Sequence, residues 1–420
     1  GADSQAFAGG IRTTQQSREA PDLKLLGSST VVDNRKPKPA AAEFSDDDFD
    51  TAGYLYENSI GDSLFFVVVT NNSEAVVSVD GNAAAKDGED KAIGADSMSI
   101  DVLGPGETSI GHFYFDSVSD IDHVDYSLSY SREKYYYPVV GNLSVNQILN
   151  DSNVTVTVAN EGTINAQFVE AYALFFDEDD NVIGYDSTYV TDNDSEIKPG
   201  ATLSAQLDTY VDYYDYAEVY FTGRSDGSSS AASETVSVSD FDITEYGLEN
   251  SFGDTMWFLI ITNNSEYDVE ITANGTAYDE DGYILGADDA SVDILGKDQT
   301  SICYFYFDGV EDIDYVDYQL SFDTDSYYTD VIHNLSADVT INDSNVIVSV
   351  TNNGEETAEF VEAVALFLDE DGEVIEYEST YIVDDDSEIK SGATITEQLD
   401  FYGDWFDSVE IYFTGRHSDW

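Results

Sequence analysis

The chain has 420 residues and carries 86 Asp and Glu against 15 Lys and Arg, a formal net charge of −71 at pH 7. So few cations cannot assemble the basic footprint that a nucleic-acid partner requires, and the same charge opposes docking on an anionic leaflet. With 42% hydrophobic residues, 30 Tyr and 22 Phe, the chain is also far more apolar than a disordered acidic tail.

Residues 1–44 stand apart from everything that follows. They hold six basic residues (Arg12, Arg18, Lys24, Arg35, Lys36 and Lys38) and five acidic ones, whereas residues 45–420 hold nine and 81. Within this near-neutral arm, Leu23 to Val32 is strand-like, with Leu23, Leu25, Leu26, Val31 and Val32 as its apolar positions. Two readings stay open. The arm is either a leader without a partner, or a docking arm drawn to an acidic body. In the second case it adds a strand to an open sheet edge, on this molecule or on the next.

After the Lys36-Pro37-Lys38-Pro39 linker the chain becomes a duplication. Thr70-Asn71-Asn72-Ser73-Glu74 recurs as Thr262-Asn263-Asn264-Ser265-Glu266, and Phe221-Thr222-Gly223-Arg224 recurs as Phe413-Thr414-Gly415-Arg416, each pair 192 residues apart. The offset holds without insertion or deletion from Phe49/Phe241 to Arg224/Arg416. A weaker repeat splits each half, so the modules run A-B-A-B. They occupy residues 45–135 and 136–224, then, after a Ser-rich linker at 225–236, residues 237–327 and 328–416. No linker divides A from B, which predicts that each A-B pair is one rigid body.

The modules read as all-β. Val154-Thr155-Val156-Thr157-Val158 and Val346-Ile347-Val348-Ser349-Val350 alternate with period two, and strand-sized runs recur between Gly, Asn and Asp clusters. About seven short strands in roughly 90 residues predict a two-sheet, immunoglobulin-like β-sandwich. The chain is therefore expected to be four tandem sandwiches behind an extended N-terminal arm.

Candidate chemistry is sparse. Asp279-x-Asp281-Gly282 and Asp369-x-Asp371-Gly372, with Asp177 and Asp179, cluster carboxylates of the kind calcium prefers. The same residues also make the strongest short hairpin signal. Tyr135 and Tyr136, Tyr213 and Tyr214, and Trp405 combine flat apolar faces with polar tips, which suits a sugar platform as well as a half-buried strand. The histidines are His112, His123, His333 and His417; the first three correspond to Tyr304, Tyr315 and Gly141 at the 192-residue offset, so a catalytic imidazole would exist in one copy alone. No nucleophile elbow, phosphate loop or zinc-protease motif is present, and an enzyme is not expected. Cys303, the single cysteine, reads as a small buried hydrophobe, and Arg224 and Arg416 as side chains clamped by local carboxylates.

The modules resemble the FxLYD family of bacterial secreted and surface proteins. The resemblance is carried by the Asn-rich turn after the first full strand, by a hydrophobic run into the acidic turn, and by a Pro-Gly corner. The runs are Ala173-Leu174-Phe175-Phe176-Asp177, Ala365-Leu366-Phe367-Leu368-Asp369 and Gly275-Thr276-Ala277-Tyr278-Asp279. These put Ala or Gly where the family name has Phe, and only the last keeps Tyr before Asp. The resemblance implies an extracellular, non-enzymatic module and supplies no ligand.

The expectation is thus a non-catalytic extracellular or cell-surface protein, a stalk or filament subunit that self-associates by strand addition through its arm or meets another surface protein. The alternative is a secreted module that binds carbohydrate or calcium. No cofactor other than calcium is expected. No run of 18 apolar residues exists for direct membrane insertion.

Overall fold

In the computed structural model the residues described are 6–7, 10–13, 44–192, 194–211, 213–229, 235–324 and 326–418. The arm positions Leu23, Leu25, Leu26, Val31 and Val32 lie outside them. The chain divides into two compact units, Gly1–Ala232 and Ser233–Trp420.

In the first unit, β1 (Ala6–Phe7) and β2 (Gly10–Thr13) precede an A sandwich built from β3 (Phe49–Glu57), β4 (Ser63–Asn71), β5 (Val77–Lys86), β6 (Ala92–Leu103), β7 (Thr108–Phe115) and β8 (His123–Arg132). The B sandwich follows as β9 (Leu143–Leu149), β10 (Asn153–Asn160), β11 (Ala166–Phe176), β12 (Val182–Tyr189), the two-residue β13 (Glu196–Ile197), β14 (Thr202–Asp208) and β15 (Tyr216–Arg224). Each sandwich is two antiparallel sheets, ordered β3-β4-β7 and β6-β5-β8 in A, and β14-β10-β9 and β2-β15-β11-β12 in B. The second unit repeats this plan. Its A sandwich has β16 (Phe241–Glu249), β17 (Thr255–Asn263), β18 (Val269–Tyr278), β19 (Ile284–Leu295), β20 (Thr300–Phe307) and β21 (Tyr315–Asp323). After the short β22 (Tyr328–Thr329), its B sandwich has β23 (Leu335–Ile341), β24 (Asn345–Asn352), β25 (Ala358–Leu368), β26 (Val374–Tyr381), β27 (Glu388–Ile389), β28 (Thr394–Asp400) and β29 (Ser408–Ser418). The chain is all-β, and among the described residues no helix is long and apolar enough to cross a membrane.

Within a unit the two sandwiches stack into four sheet layers. Strand β4 reads Leu64 to Val69 without a polar break because both of its faces are buried. Val67 and Val69 point into the core of A with Val77, Phe113 and Phe115, while Leu64, Phe66 and Val68 point the other way. They meet Tyr172, Leu174 and Phe176 of β11, whose alternate residues Ala171, Ala173 and Phe175 fill the core of B. Met256, Phe258 and Ile260 meet Val364, Leu366 and Leu368 in the same way in the second unit. Full burial of each large side chain is worth about 1.5–3 kcal/mol, so several such residues hold A against B as one body. Hydroxyls add to this: Ser109 Oγ donates to Phe221 O at 2.8 Å, and Ser301 Oγ to Phe413 O at 3.0 Å.

One asparagine recurs at the same turn in all four modules. Asn71 donates its amide to Ala75 O (2.8 Å) and Leu103 O (3.0 Å) and accepts from the Ser73 N–H (2.9 Å). Asn160 does so with Ile164 O, Ile197 O and Gly162, Asn263 with Tyr267 O, Leu295 O and Ser265, and Asn352 with Glu356 O, Ile389 O and Gly354. All four are buried. Each pins the end of one sheet to the facing sheet by donating to its buried carbonyls.

Candidate functional site

Two features offer themselves as sites. The first is a cleft where A meets B, present in both units. In the first unit it encloses about 400 Å³ and is lined by Asp101, His112, Phe168, Glu170, Tyr189 and Arg224 among others. The equivalent cleft of the second unit encloses about 300 Å³, with Asp293, Tyr304, Phe360, Glu362, Tyr381 and Arg416 in those places.

Arg224 organises the first cleft. Its Nη1 is ion-paired with Asp101 across the A–B boundary, and its guanidinium lies over the rings of Tyr136 (4.3 Å) and Phe168 (5.0 Å). Arg416 repeats the arrangement with Asp293, Tyr328 (4.2 Å) and Phe360 (4.8 Å). Phe168 and Phe360 occupy left-handed backbone, with φ of 51° and 50°. For so bulky a residue that is costly, on the order of 1–3 kcal/mol. It occurs where β11 and β25 bulge against their neighbours, between Gln167 and Glu170 and between Glu359 and Glu362. The strained aromatic thus becomes the floor beneath the arginine.

One further polar pair lines the cleft of the first unit. Tyr172 donates its hydroxyl to Glu170 at 3.0 Å, and burial beside that carboxylate raises its pKa. Burial is also the main cause that holds His112 below its ordinary value. Cys303 replaces Gly111 at the cleft wall, and the swap follows from volume. A Cβ at Gly111 would meet Met98 Sδ at 2.6 Å, whereas Ala290 takes the place of Met98 in the second unit and leaves room for sulfur. Burial pushes the Cys303 thiol up to about 12, the behaviour of a packed hydrophobe rather than a nucleophile.

The sequence candidates fall elsewhere. Asp279 Oδ1 accepts the amides of Asp281 (2.9 Å) and Tyr283 (2.8 Å), Asp177 Oδ1 those of Asp179 and Asn181, and Asp369 Oδ1 those of Asp371 and Glu373. In each case the first carboxylate is occupied as the acceptor of its own hairpin turn, while Asp179, Asp281 and Asp371 supply amides. Carboxylates and imidazole come together instead at Asp90, His123 and Asp125, whose ligand atoms lie within 4.8 Å of one another. Lys86 Nζ already stands 3.9 Å from Asp90 and 3.8 Å from Asp125, and the hydrogen bond to Asp122 raises the pKa of His123. This is an acidic cluster in which Lys86 already supplies a cation. Its counterparts Tyr278 and Tyr315 are a stacked pair at 4.9 Å.

Among the aromatic candidates, Tyr135 (82% exposed), Tyr213 (73%) and Trp405 (58%) stand in solvent. Tyr136 lies under Arg224, and Tyr214 packs edge-on against Phe175 and donates to Asn150 O at 2.6 Å, so these two are structural.

The second feature is a sheet edge. β2 pairs antiparallel with β15 in the register Ala217↔Thr13, Glu218↔Arg12, Val219↔Ile11 and Tyr220↔Gly10. A segment of the N-terminal arm thereby becomes an added strand of the B sandwich in the first unit. The sequence reading placed the strand-forming stretch later, at Leu23 to Val32. Gly10–Thr13 has no apolar periodicity to mark it, because strand addition is specified largely by main-chain hydrogen bonds.

No family model matches the chain, and no curated protein does. Among solved structures it is similar to the red sea bream transglutaminase at 11% identity, covering 55% of this chain and 37% of that one with a TM-score of 0.15. It is similar also to the Escherichia coli alpha-2-macroglobulin activated by porcine elastase, at 8% identity, covering 87% and 44% with a TM-score of 0.13. The chain thus spans less than half the length of either protein, and neither likeness bears on activity.

Proposed function

We propose that the chain is a non-catalytic structural or interaction protein of the cell exterior, a surface stalk or filament subunit that associates through strand addition by its N-terminal arm. The pairing of Gly10–Thr13 with β15 is the observation that carries this reading. An edge strand is a template for another chain, and here the template is met by a segment of the same protein. The charge distribution supports it: the arm is the one segment near neutrality, so it approaches a body of 81 acidic residues without the repulsion that any other part would meet. The clefts suit a rigid spacer, because Arg224 and Arg416 are engaged with Asp101 and Asp293 in holding A to B. The resemblance to the FxLYD family favours an extracellular setting.

Removing residues 1–33 and following particle size by sedimentation and electron microscopy tests the proposal. Assemblies that disappear with the arm support it, and assemblies that persist unchanged sink it. The exposed Tyr135, Tyr213 and Trp405 favour carbohydrate as the second reading. A glycan array decides that point, since retained glycan that is lost on their replacement by Ala would establish it.

A further inference from the structure

The two B sandwiches differ at one place. In the first unit the β15 edge is covered, with Ala217 and Val219 fully buried, Glu218 5% exposed and Phe221 1% exposed. Their counterparts on β29, Val409, Glu410, Ile411 and Phe413, are all half-exposed. Among the described residues, β22 pairs with β29 only at His417 and Ser418, and no strand pairs with the outer side of Val409–Tyr412. The facing strand tells the same story. Val339 and Ile341 of β23 stand opposite Val348 and Val346, which lie in the core, yet they are 44% and 56% exposed. Gln147, at the position of Val339 in the first unit, is only 8% exposed. Side chains patterned for an interior therefore line an open seam between β23 and β29.

The seam matches a donor already on hand. From residue 216 the edge of β15 reads Tyr-Ala-Glu-Val-Tyr-Phe-Thr-Gly-Arg, and β29 from residue 408 reads Ser-Val-Glu-Ile-Tyr-Phe-Thr-Gly-Arg. The glutamate that the register sets opposite Arg12 is conserved between them as Glu218 and Glu410. We infer that the β29 edge of the second unit is a second acceptor for the Gly10–Thr13 strand, and that its occupant is the arm of another copy of this chain. This rests on the strand-addition reading and gives it a direction, from the N-terminus of one copy to the C-terminal sandwich of the next.

The two acceptors compete for one donor. An arm tethered beside its own β15 acts at an effective concentration on the order of millimolar, so dilute copies keep the arm at home. Copies crowded to comparable density exchange arms and become linked. Main-chain hydrogen bonds supply the attraction, and the seam residues Val339, Ile341, Val409 and Ile411 lose their exposure when it fills.

The test uses the full chain with its own donor disabled, I11P/T13P, since proline removes the ladder N–H groups. A synthetic peptide of residues 5–17 is titrated into it by calorimetry, and hydrogen exchange locates the bound sites. The inference expects two peptides per chain, with outward amides of Ala217–Tyr220 and of Val409–Tyr412 each slowed about tenfold or more. One peptide, protecting β15 alone, overturns the second acceptor and leaves the arm reading intact. Two peptides without protection at Val409–Tyr412 also overturn it, and no binding overturns both readings.

Discussion

Arg224 of one sandwich is ion-paired with Asp101 of its neighbour, and 123 residues of chain separate them. The pair recurs as Arg416 and Asp293 in the second unit, with aromatic rings under the guanidinium in both. The ion pair itself is half-exposed, so it contributes no more than about 1 kcal/mol. The stacked rings add about 0.5–1 kcal/mol each. Arg224→Ala is therefore expected to destabilise the first unit by about 2 kcal/mol in urea unfolding, and Asp101→Asn by less than half of that. Arg224→Lys restores little, because an ammonium lacks the planar face that stacks on an aromatic ring.

The recurrent turn asparagine gives a larger effect. Asn160→Ala removes the side-chain donor to the carbonyls of Ile164 and Ile197, at about 1–3 kcal/mol for each buried acceptor left short of a partner. A loss near 3 kcal/mol is expected by urea unfolding. Asn160→Asp should be worse than Asn160→Ala, since a carboxylate would face two carbonyl oxygens. Equal stability of the two variants would refute the assignment.

The alternation of Val154, Val156 and Val158 announced a half-buried strand, and all three lie in the core. The missing linker between A and B announced one rigid body, but the two-sided burial of β4 and β11 that makes it one was not read from their apolar runs. Which of 86 carboxylates would meet Arg224 was illegible, because contact across 123 residues leaves no local trace. Asn71 and Asn160 were visible as turn residues, but their work is done on carbonyls of a facing sheet. Gly10–Thr13 was invisible for the opposite reason, because its pairing asks little of its side chains.

Glu107 predicts a pH dependence. It is 5% exposed, accepts the amides of Gly104 and Gly141 at 2.7 Å each, and burial pushes its pKa above the ordinary 4.5. The folded state then holds this proton more tightly than the unfolded state. Its contribution to stability is full below about pH 4.5 and is lost as pH rises through the elevated folded value. Melting temperatures of the full chain measured from pH 4 upward should fall more steeply than those of Glu107→Gln, and parallel curves would contradict the assignment.

Self-repulsion predicts a salt response. The Debye length shrinks from about 30 Å at 0.01 M to about 8 Å at 0.15 M, so the melting temperature should rise over that range. Because Asp177, Asp279 and Asp369 already accept the amides of their own turns, millimolar calcium should act only as a divalent screen, matched by magnesium. A calcium-specific rise of several degrees would restore the acidic turns as binding sites.

The N-terminal strand Gly10–Thr13 belongs to the sheet of β15. Amide hydrogen exchange at Ala217–Tyr220, compared between the full chain and one lacking residues 1–33, addresses it most directly. If the arm is the added strand, the amides that face away from β11 exchange at least about tenfold faster once it is gone. Identical rates in the two proteins would contradict it.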